Sequence, residues 1–111
     1  MRLAPEPAVA LAMALHELAT NAAKHGALSR PTGRVSLTWG PAPDGGAALD
    51  IAWTENGGPP LVGVPEHRGF GLRLLERALA RQLGGEVALA YPRAGFAFRL
   101  RLPLGERVSL G

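Results

Sequence analysis

The sequence of 111 residues contains no cysteine and few aromatic residues, and each shortage argues against a kind of binding site. Without cysteine, neither a disulfide nor a thiolate metal site can form. One tyrosine and three phenylalanines offer few platforms on which the bases of a single strand could stack. The formal net charge of +3 is also too small to indicate a DNA or RNA surface by itself. A nucleic-acid partner is therefore not expected.

Long apolar runs are missing as well. The longest one, residues 8–15, is too short to span a bilayer. The N-terminal segment lacks the basic start, apolar run and cleavage site of a signal peptide. We therefore expect a cytoplasmic protein without membrane contact. The length predicts one domain over residues 1–111, which can bury about 65% of the surface that its unfolded chain exposes.

The spacing of apolar residues predicts two helices and two pairs of strands. Leucines recur at helical intervals from about Pro7 to Lys24 and from Gly71 to Leu83. Alternating patterns predict strands, including a hairpin with Trp39 and Trp53 in the sheet core, over residues 33–39, 49–53, 87–91 and 96–102. The order of these elements predicts an α+β fold, with helices on one face of a mixed, mostly antiparallel sheet.

Polar side chains interrupt the first predicted helix at a regular interval. Glu17, Asn21 and Lys24, the only lysine of the chain, are spaced by four and three residues. On a helix this spacing places them on one face. Oxygen ligands suit a divalent metal, and a lysine suits phosphate. The helix therefore predicts a site for a metal that carries a phosphate chain.

An acidic residue follows the predicted hairpin and enters a glycine turn. Glu55 ends the second strand, and Gly57 and Gly58 come directly after it. Glycines let the backbone approach a flat ligand closely, and a carboxylate can accept a hydrogen bond from an exocyclic amine. The alternative is a loop that only turns, with Glu55 solvated. Both interpretations are open at this point.

A glycine pair precedes the second predicted helix. Gly69 and Gly71 flank Phe70, so free backbone amides at the helix start could bind phosphate. The motif is weak by itself, because such a pair can also serve only as a helix cap. The longer glycine-lysine pattern of a P-loop is absent.

Taken in order, these three motifs resemble the ATP-binding domain of the GHKL superfamily, and most closely the HWE family of sensor histidine kinases. That family has a histidine in its first ATP box and Trp-x-Glu in its second. Here His16 begins His-Glu-Leu-Ala-Thr-Asn-Ala-Ala-Lys, and Trp53-Thr54-Glu55 follows in its place. The resemblance extends from about Leu11 to Leu104. It implies a Bergerat-type two-layer α/β sandwich that binds ATP and Mg²⁺.

The resemblance also implies roles for individual residues. Asn21 would ligate Mg²⁺ with Glu17 beside it, and Lys24 and His25 would face phosphate oxygens. Glu55 would take the place of the usual aspartate that reads the adenine amino group. Gly57, which has no side chain, would leave room for the adenine base. The other nucleotide-binding residues implied are His16, Gly58, Gly69, Phe70, Gly71 and Leu72.

The resemblance implies a histidine protein kinase catalytic domain in two-component signalling. Its γ-phosphate would pass to a histidine on a phosphoacceptor and dimerisation domain, with a response regulator downstream. No such acceptor helices precede His16, so we expect the acceptor in the parent chain or in a separate protein. Two alternatives are a regulatory nucleotide-binding module without kinase activity and an anti-sigma-factor-type serine kinase. Trp-x-Glu argues against the second.

Three features depart from the wider superfamily. They are Glu55 in place of aspartate, Pro59 in place of a glycine, and a short loop over residues 59–68.

Overall fold

The computed structural model describes residues 1–61 and 70–110, and along part of the second helix it describes the backbone alone. Two helices and six strands follow one another along these residues, with the strands mostly in consecutive groups. In chain order the elements are β1 (Arg2–Leu3), α1 (Pro5–Lys24), a 3-10 turn (Ala27–Ser29), β2 (Arg34–Pro41), β3 (Ala48–Asn56), α2 (Phe70–Leu83), β4 (Glu86–Ala90), β5 (Ala97–Pro103) and β6 (Val108–Ser109).

Helix α1 carries the first polar motif, and its ends follow from its sequence. Pro5 stands in the first turn, where a missing N–H costs nothing, and Glu6 complements the positive end of the helix dipole. Lys24 lies in the last turn, where a cation is favoured. The His25 N–H donates to the Asn21 carbonyl and closes the helix. Neither this helix nor the other one in the described part of the chain is long and apolar enough to cross a membrane.

Four strands form the main sheet in the order β2-β3-β5-β4, and each described neighbouring pair is antiparallel. The predicted hairpin is formed by β2 and β3, with Arg34 opposite Asn56 and Pro41 opposite Leu49. A second, two-stranded sheet joins β1 to β6. The sequence did not predict this pair, because strands of two residues carry no periodic pattern. The predicted α+β class is confirmed.

The core lies between the helices and one face of the main sheet. Alternate residues of β3 and β5 point to this face and are buried, and Trp53 stands opposite Phe98. The buried apolar stripe of α1 and Leu79 of α2 belong to the same cluster. Each buried leucine or phenylalanine stabilises the fold by about 1.5–3 kcal/mol relative to an exposed one. The sheet residues concerned are Leu49, Ile51, Trp53, Phe98, Leu100 and Leu102, and those of α1 are Leu11, Ala14, Leu18 and Ala22.

One prediction about this core is wrong. Trp39 was expected in the sheet core with Trp53, but it is 56% exposed while Trp53 is 6% exposed. Trp39 pairs with Ile51 and therefore points to the inner face. However, β2 is at an edge of the sheet, so fewer neighbours cover that face. Alternation in the sequence identifies the face of a residue, whereas the position of its strand in the sheet decides its burial.

An ion pair on the sheet predicts a measurable pH effect. The Gly46 N–H and then the Arg101 guanidinium hold the pKa of Asp44 below its usual value. Arg101 lies 3.0 Å from carboxylate oxygens of both Asp44 and Asp50. A lowered pKa stabilises the fold above the unfolded-state pKa of about 3.9, and this contribution is lost as the pH falls through the folded value. We expect Arg101→Gln to raise the pKa of Asp44, as measured by a carboxyl NMR titration.

Arg99→Gln provides the control for that titration, since Arg99 is an exposed arginine two residues away on the same strand. It makes the same change in net charge without removing a partner of Asp44. An equal rise of the Asp44 pKa in both variants would assign the effect to net charge and contradict the role of the ion pair.

Candidate nucleotide site

The three polar residues predicted to share a helix face all lie in α1. Glu17 and Asn21 are half-buried, and Lys24 is exposed. At about 1.5 Å per residue, Asn21 stands about 6 Å along the axis from Glu17, and Lys24 about 4.5 Å further. Their side chains form no hydrogen bond or ion pair with another residue that the structure describes. Within the described regions, an acid, an amide and an ammonium group are therefore available to a ligand.

Two histidines flank this face. His16 and His25 are both exposed, and His16 is turned by about 100° from Glu17 around the helix. The carbonyl of His16 accepts a hydrogen bond of 2.8 Å from the Thr20 hydroxyl. His25 lies just beyond the last turn of α1, next to Lys24. Its imidazole is thus nearer to the end of the polar face than that of His16, and the nucleotide-binding role of each remains a prediction.

Glu55 is buried at the end of β3, with 5% of its surface exposed. Its Oε1 accepts a hydrogen bond of 2.9 Å from the Ala27 N–H. Its Oε2 accepts another of 2.9 Å from the Trp53 Nε1–H. The alternative of a solvated Glu55 is therefore wrong. Each carboxylate oxygen has two lone pairs, so one on each remains after these bonds.

The hydrogen bond from Ala27 brings the first two motifs together. The Gly26 N–H donates to the carbonyls of Asn21 and Ala22 at 3.1 Å, which places Gly26 directly on the end of α1. A Cβ atom at Gly26 would collide with Oε1 of Glu55, so only glycine permits this approach. The end of the polar helix face and the buried carboxylate are thus joined through two consecutive residues of the backbone.

The glycines after β3 pack against the same segment. Gly57 has a φ of +76°, and a Cβ there would collide with the Thr32 carbonyl. The Thr32 hydroxyl donates a hydrogen bond of 2.7 Å to the Gly57 carbonyl. Gly58 is half-buried beside Ala27. These glycines are therefore required by the packing of β3 against residues 26–33. Their predicted contact with a base remains a prediction.

The third motif is described only in part. Gly69 lies outside the described residues, as does the 62–68 part of the loop before it. Helix α2 begins at Phe70, one residue before the predicted start, so Gly71 and Leu72 belong to its first turn. The first N–H groups of a helix have no partner within the helix, which is the property that a phosphate-binding role requires.

The donor set suits magnesium that arrives with phosphates. The described residues contain no group of three histidine, aspartate or glutamate side chains that could hold a metal ion. Mg²⁺ is usually bound through one or two protein ligands together with substrate phosphates and water. Glu17 and Asn21 fit that pattern, and they do not form a cage for a metal alone.

A surface groove lies at the opposite end of α1 and does not belong to this site. Its volume is about 350 Å³, and its lining includes Pro7, Pro103 and Arg107. Pro7 stands fourteen residues before Asn21, about 21 Å along the helix axis. The chemistry-bearing groups of α1 and β3 are at the other end of the helix.

In this structure a helix with a polar face packs on an antiparallel sheet beside a buried carboxylate. Residues 6–106 match the family described as histidine kinase-, DNA gyrase B- and HSP90-like ATPase. The chain belongs to this family, which implies that it binds ATP.

Relatives of known name agree with the narrower resemblance. Proteins named blue-light-activated histidine kinase from Brucella ovis and Brucella canis are each 38% identical to the chain over 104 residues, 93% of its length. One from Rhizobium johnstonii is 39% identical over 100 residues, 89% of its length. The chain spans 21% of the Brucella proteins and 28% of the Rhizobium protein. The predicted resemblance to an HWE-family histidine kinase ATP-binding domain is confirmed.

Solved structures agree with the fold. The histidine kinase domain of the blue-light activated histidine kinase from Erythrobacter litoralis EL346 matches with a TM-score of 0.67 at 23% identity, over 88% of this chain and 48% of that one. A second structure of that kinase gives 0.69 at 24% identity, over 92% of this chain and 32% of that one. The two-layer arrangement predicted from the sequence is thus found in experimental structures.

Two groups at the site were not predicted from the sequence. The Trp53 indole N–H holds Glu55, although Trp53 was expected only as a core residue. The spacing of two residues along one strand could have indicated this contact, because it places both side chains on one face. The Ala27 N–H is the other group. No sequence signal marks it, because every residue except proline carries a backbone donor.

Proposed function

We propose that this chain binds Mg-ATP and donates the γ-phosphoryl group to a histidine on a separate phosphoacceptor and dimerisation domain. Membership of the ATPase family supports the nucleotide, and the relatives named histidine kinase support the transfer. The observation that carries the proposal is the hydrogen bond from Ala27 to Glu55, which holds the polar end of α1 against the carboxylate of β3.

The phosphate and metal end of the ligand would lie along α1. Glu17 and Asn21 would hold Mg²⁺, which supplies charge neutralisation at the phosphates when it is bound. Lys24, with His25 next to it, would face the phosphate oxygens at the C-terminal end of the helix. The exposure of Lys24 and the half-buried positions of the other two residues support this arrangement.

The adenine end would lie at β3. Glu55 would accept a hydrogen bond from the exocyclic amino group through a lone pair that Ala27 and Trp53 leave free. Gly57 and Gly58 would border the base. On this proposal the phosphate site would be completed by the backbone of four further residues, which are Gly69, Phe70, Gly71 and Leu72. His16 would lie at the margin of that site.

The transfer itself would need positioning more than covalent help from this chain. An imidazole nitrogen of the acceptor histidine attacks the γ-phosphorus, the bond to the bridging oxygen breaks, and ADP leaves. The phosphohistidine would then supply a response regulator. Since ATP is the donor, we expect this to take place in the cytoplasm.

The proposal is tested by mixing the chain with γ-labelled ATP, Mg²⁺ and a phosphoacceptor domain produced from one of the relatives named histidine kinase. We expect label on the acceptor that is lost in acid and kept in base, as a phosphoramidate bond requires. An acceptor with its histidine replaced by alanine is the control. Nucleotide binding without label on the acceptor would instead identify a regulatory module, and acid-stable label would identify a serine kinase.

A further inference from the structure

We propose that Trp53 is a positioning residue for the adenine site, acting through the carboxylate of Glu55. This inference rests on the proposed function and adds to it a determinant of nucleotide selectivity. Trp53 is 6% exposed and would not itself touch the nucleotide. Its part is to fix the direction in which the carboxylate offers its free lone pairs.

The contact follows from the register of β3. Trp53 and Glu55 are two residues apart on one strand, so their side chains stand on the same face. The indole Nε1–H donates to Oε2 of Glu55 at 2.9 Å, and this bond is buried. Phe98 stands directly opposite Trp53 on β5, is also buried and belongs to the same core cluster. A rigid donor thus holds one of the two carboxylate oxygens.

The second oxygen is held from another element. Oε1 of Glu55 accepts the Ala27 N–H, which belongs to the turn after α1. Among the residues that the structure describes, both partners of this buried carboxylate are neutral N–H groups, and none is a cation. With two neutral donors and no ion pair, the carboxyl group has lone pairs left to accept a further hydrogen bond from an amine.

The double contact gives a reason for glutamate at this position. An aspartate would withdraw the carboxylate by about one carbon–carbon bond, roughly 1.5 Å. A bond of 2.9 Å that lengthened by this amount would leave the range of hydrogen bonds. Glutamate at this position and tryptophan two residues earlier therefore form one unit, in which the longer side chain reaches both donors.

Trp53→Phe tests the unit by removing the donor while keeping an aromatic ring in the core. We expect the affinity for Mg-ATP to fall about tenfold, which is the scale of one lost hydrogen bond. The affinity for magnesium tripolyphosphate, which lacks the base, should not change. Both are measured by titration calorimetry on the full chain.

Trp39→Phe is the matched control, because it makes the same substitution at an exposed site of the same sheet. It should leave both affinities unchanged. Thermal melting shows whether Trp53→Phe is folded at the temperature of the titration. If it is not, the titration is repeated at a lower temperature at which melting shows the variant to be folded.

Different outcomes separate this inference from the proposed function. An equal loss of ATP and tripolyphosphate affinity, or no loss of either, in the folded variant would overturn the positioning role of Trp53 and leave the proposed function intact. Failure of the unmodified chain to bind Mg-ATP would overturn both.

Discussion

Asn21→Ala is expected to weaken Mg-ATP binding about 100-fold, which corresponds to about 3 kcal/mol for a lost contact to a charged ligand. The carboxamide of Asn21 is half-buried on the polar face of α1 and has no hydrogen-bond partner among the described residues. Its removal therefore costs the fold no hydrogen bond among the described residues. Alanine is also the better helix former, so the melting temperature should stay the same or rise slightly. Calorimetry with Mg-ATP, together with circular dichroism, measures both effects.

Thr20→Ala is the control for this substitution. Thr20 precedes Asn21 in the same helix, and its hydroxyl already donates to the His16 carbonyl. Thr20→Ala therefore truncates a neighbouring polar side chain that is engaged within the helix. It should bind Mg-ATP normally. Unchanged affinity in Asn21→Ala would show that the metal site is not on this face of α1. An equal loss in both variants would indicate a general effect on the helix.

Glu55→Ala is expected to weaken ATP binding 10- to 100-fold and to leave magnesium tripolyphosphate binding nearly unchanged, because about 1.5–3 kcal/mol is lost with a hydrogen bond to a charged acceptor. The selectivity arises because ATP, unlike tripolyphosphate, carries an exocyclic amino group from which the carboxylate would accept a hydrogen bond. The same titration with both ligands gives the ratio of affinities directly. A loss of the same size for both ligands would remove Glu55 from the base pocket.

The alanine variant also has a structural cost that must be measured separately. It leaves the buried N–H donors of Ala27 and Trp53 without their acceptor, at about 1–3 kcal/mol each. Glu55→Gln keeps the size of the side chain and one of its oxygens, so it should be the more stable of the two variants. Urea unfolding of both variants measures this cost, and the ratio of ligand affinities is read only where the protein is folded.

Much of the architecture could be predicted because its elements carry regular patterns. Helix α1 was predicted two residues short at its start, and α2 one residue short, since patterns of apolar residues fix the middle of an element better than its ends. The exposure of Trp39 and the pairing of β1 with β6 could not be predicted. Both depend on which elements become neighbours, and no local pattern records that.

The sequence by itself determined the family through its three motifs, the helical spacing of Glu17, Asn21 and Lys24, and the presence of an acid before a glycine turn. Each motif is a short run of residues close together along the chain. Tertiary structure alone decided that Glu55 is buried, that the Ala27 N–H and the Trp53 indole hold its two oxygens, and that Gly57 packs against Thr32. The contacts of Ala27 with Glu55 and of Gly57 with Thr32 join separate elements, and the Ala27 donor is a backbone group that any residue but proline could supply. Trp53 and Glu55 share β3, and what the fold adds to their spacing is the burial of both side chains.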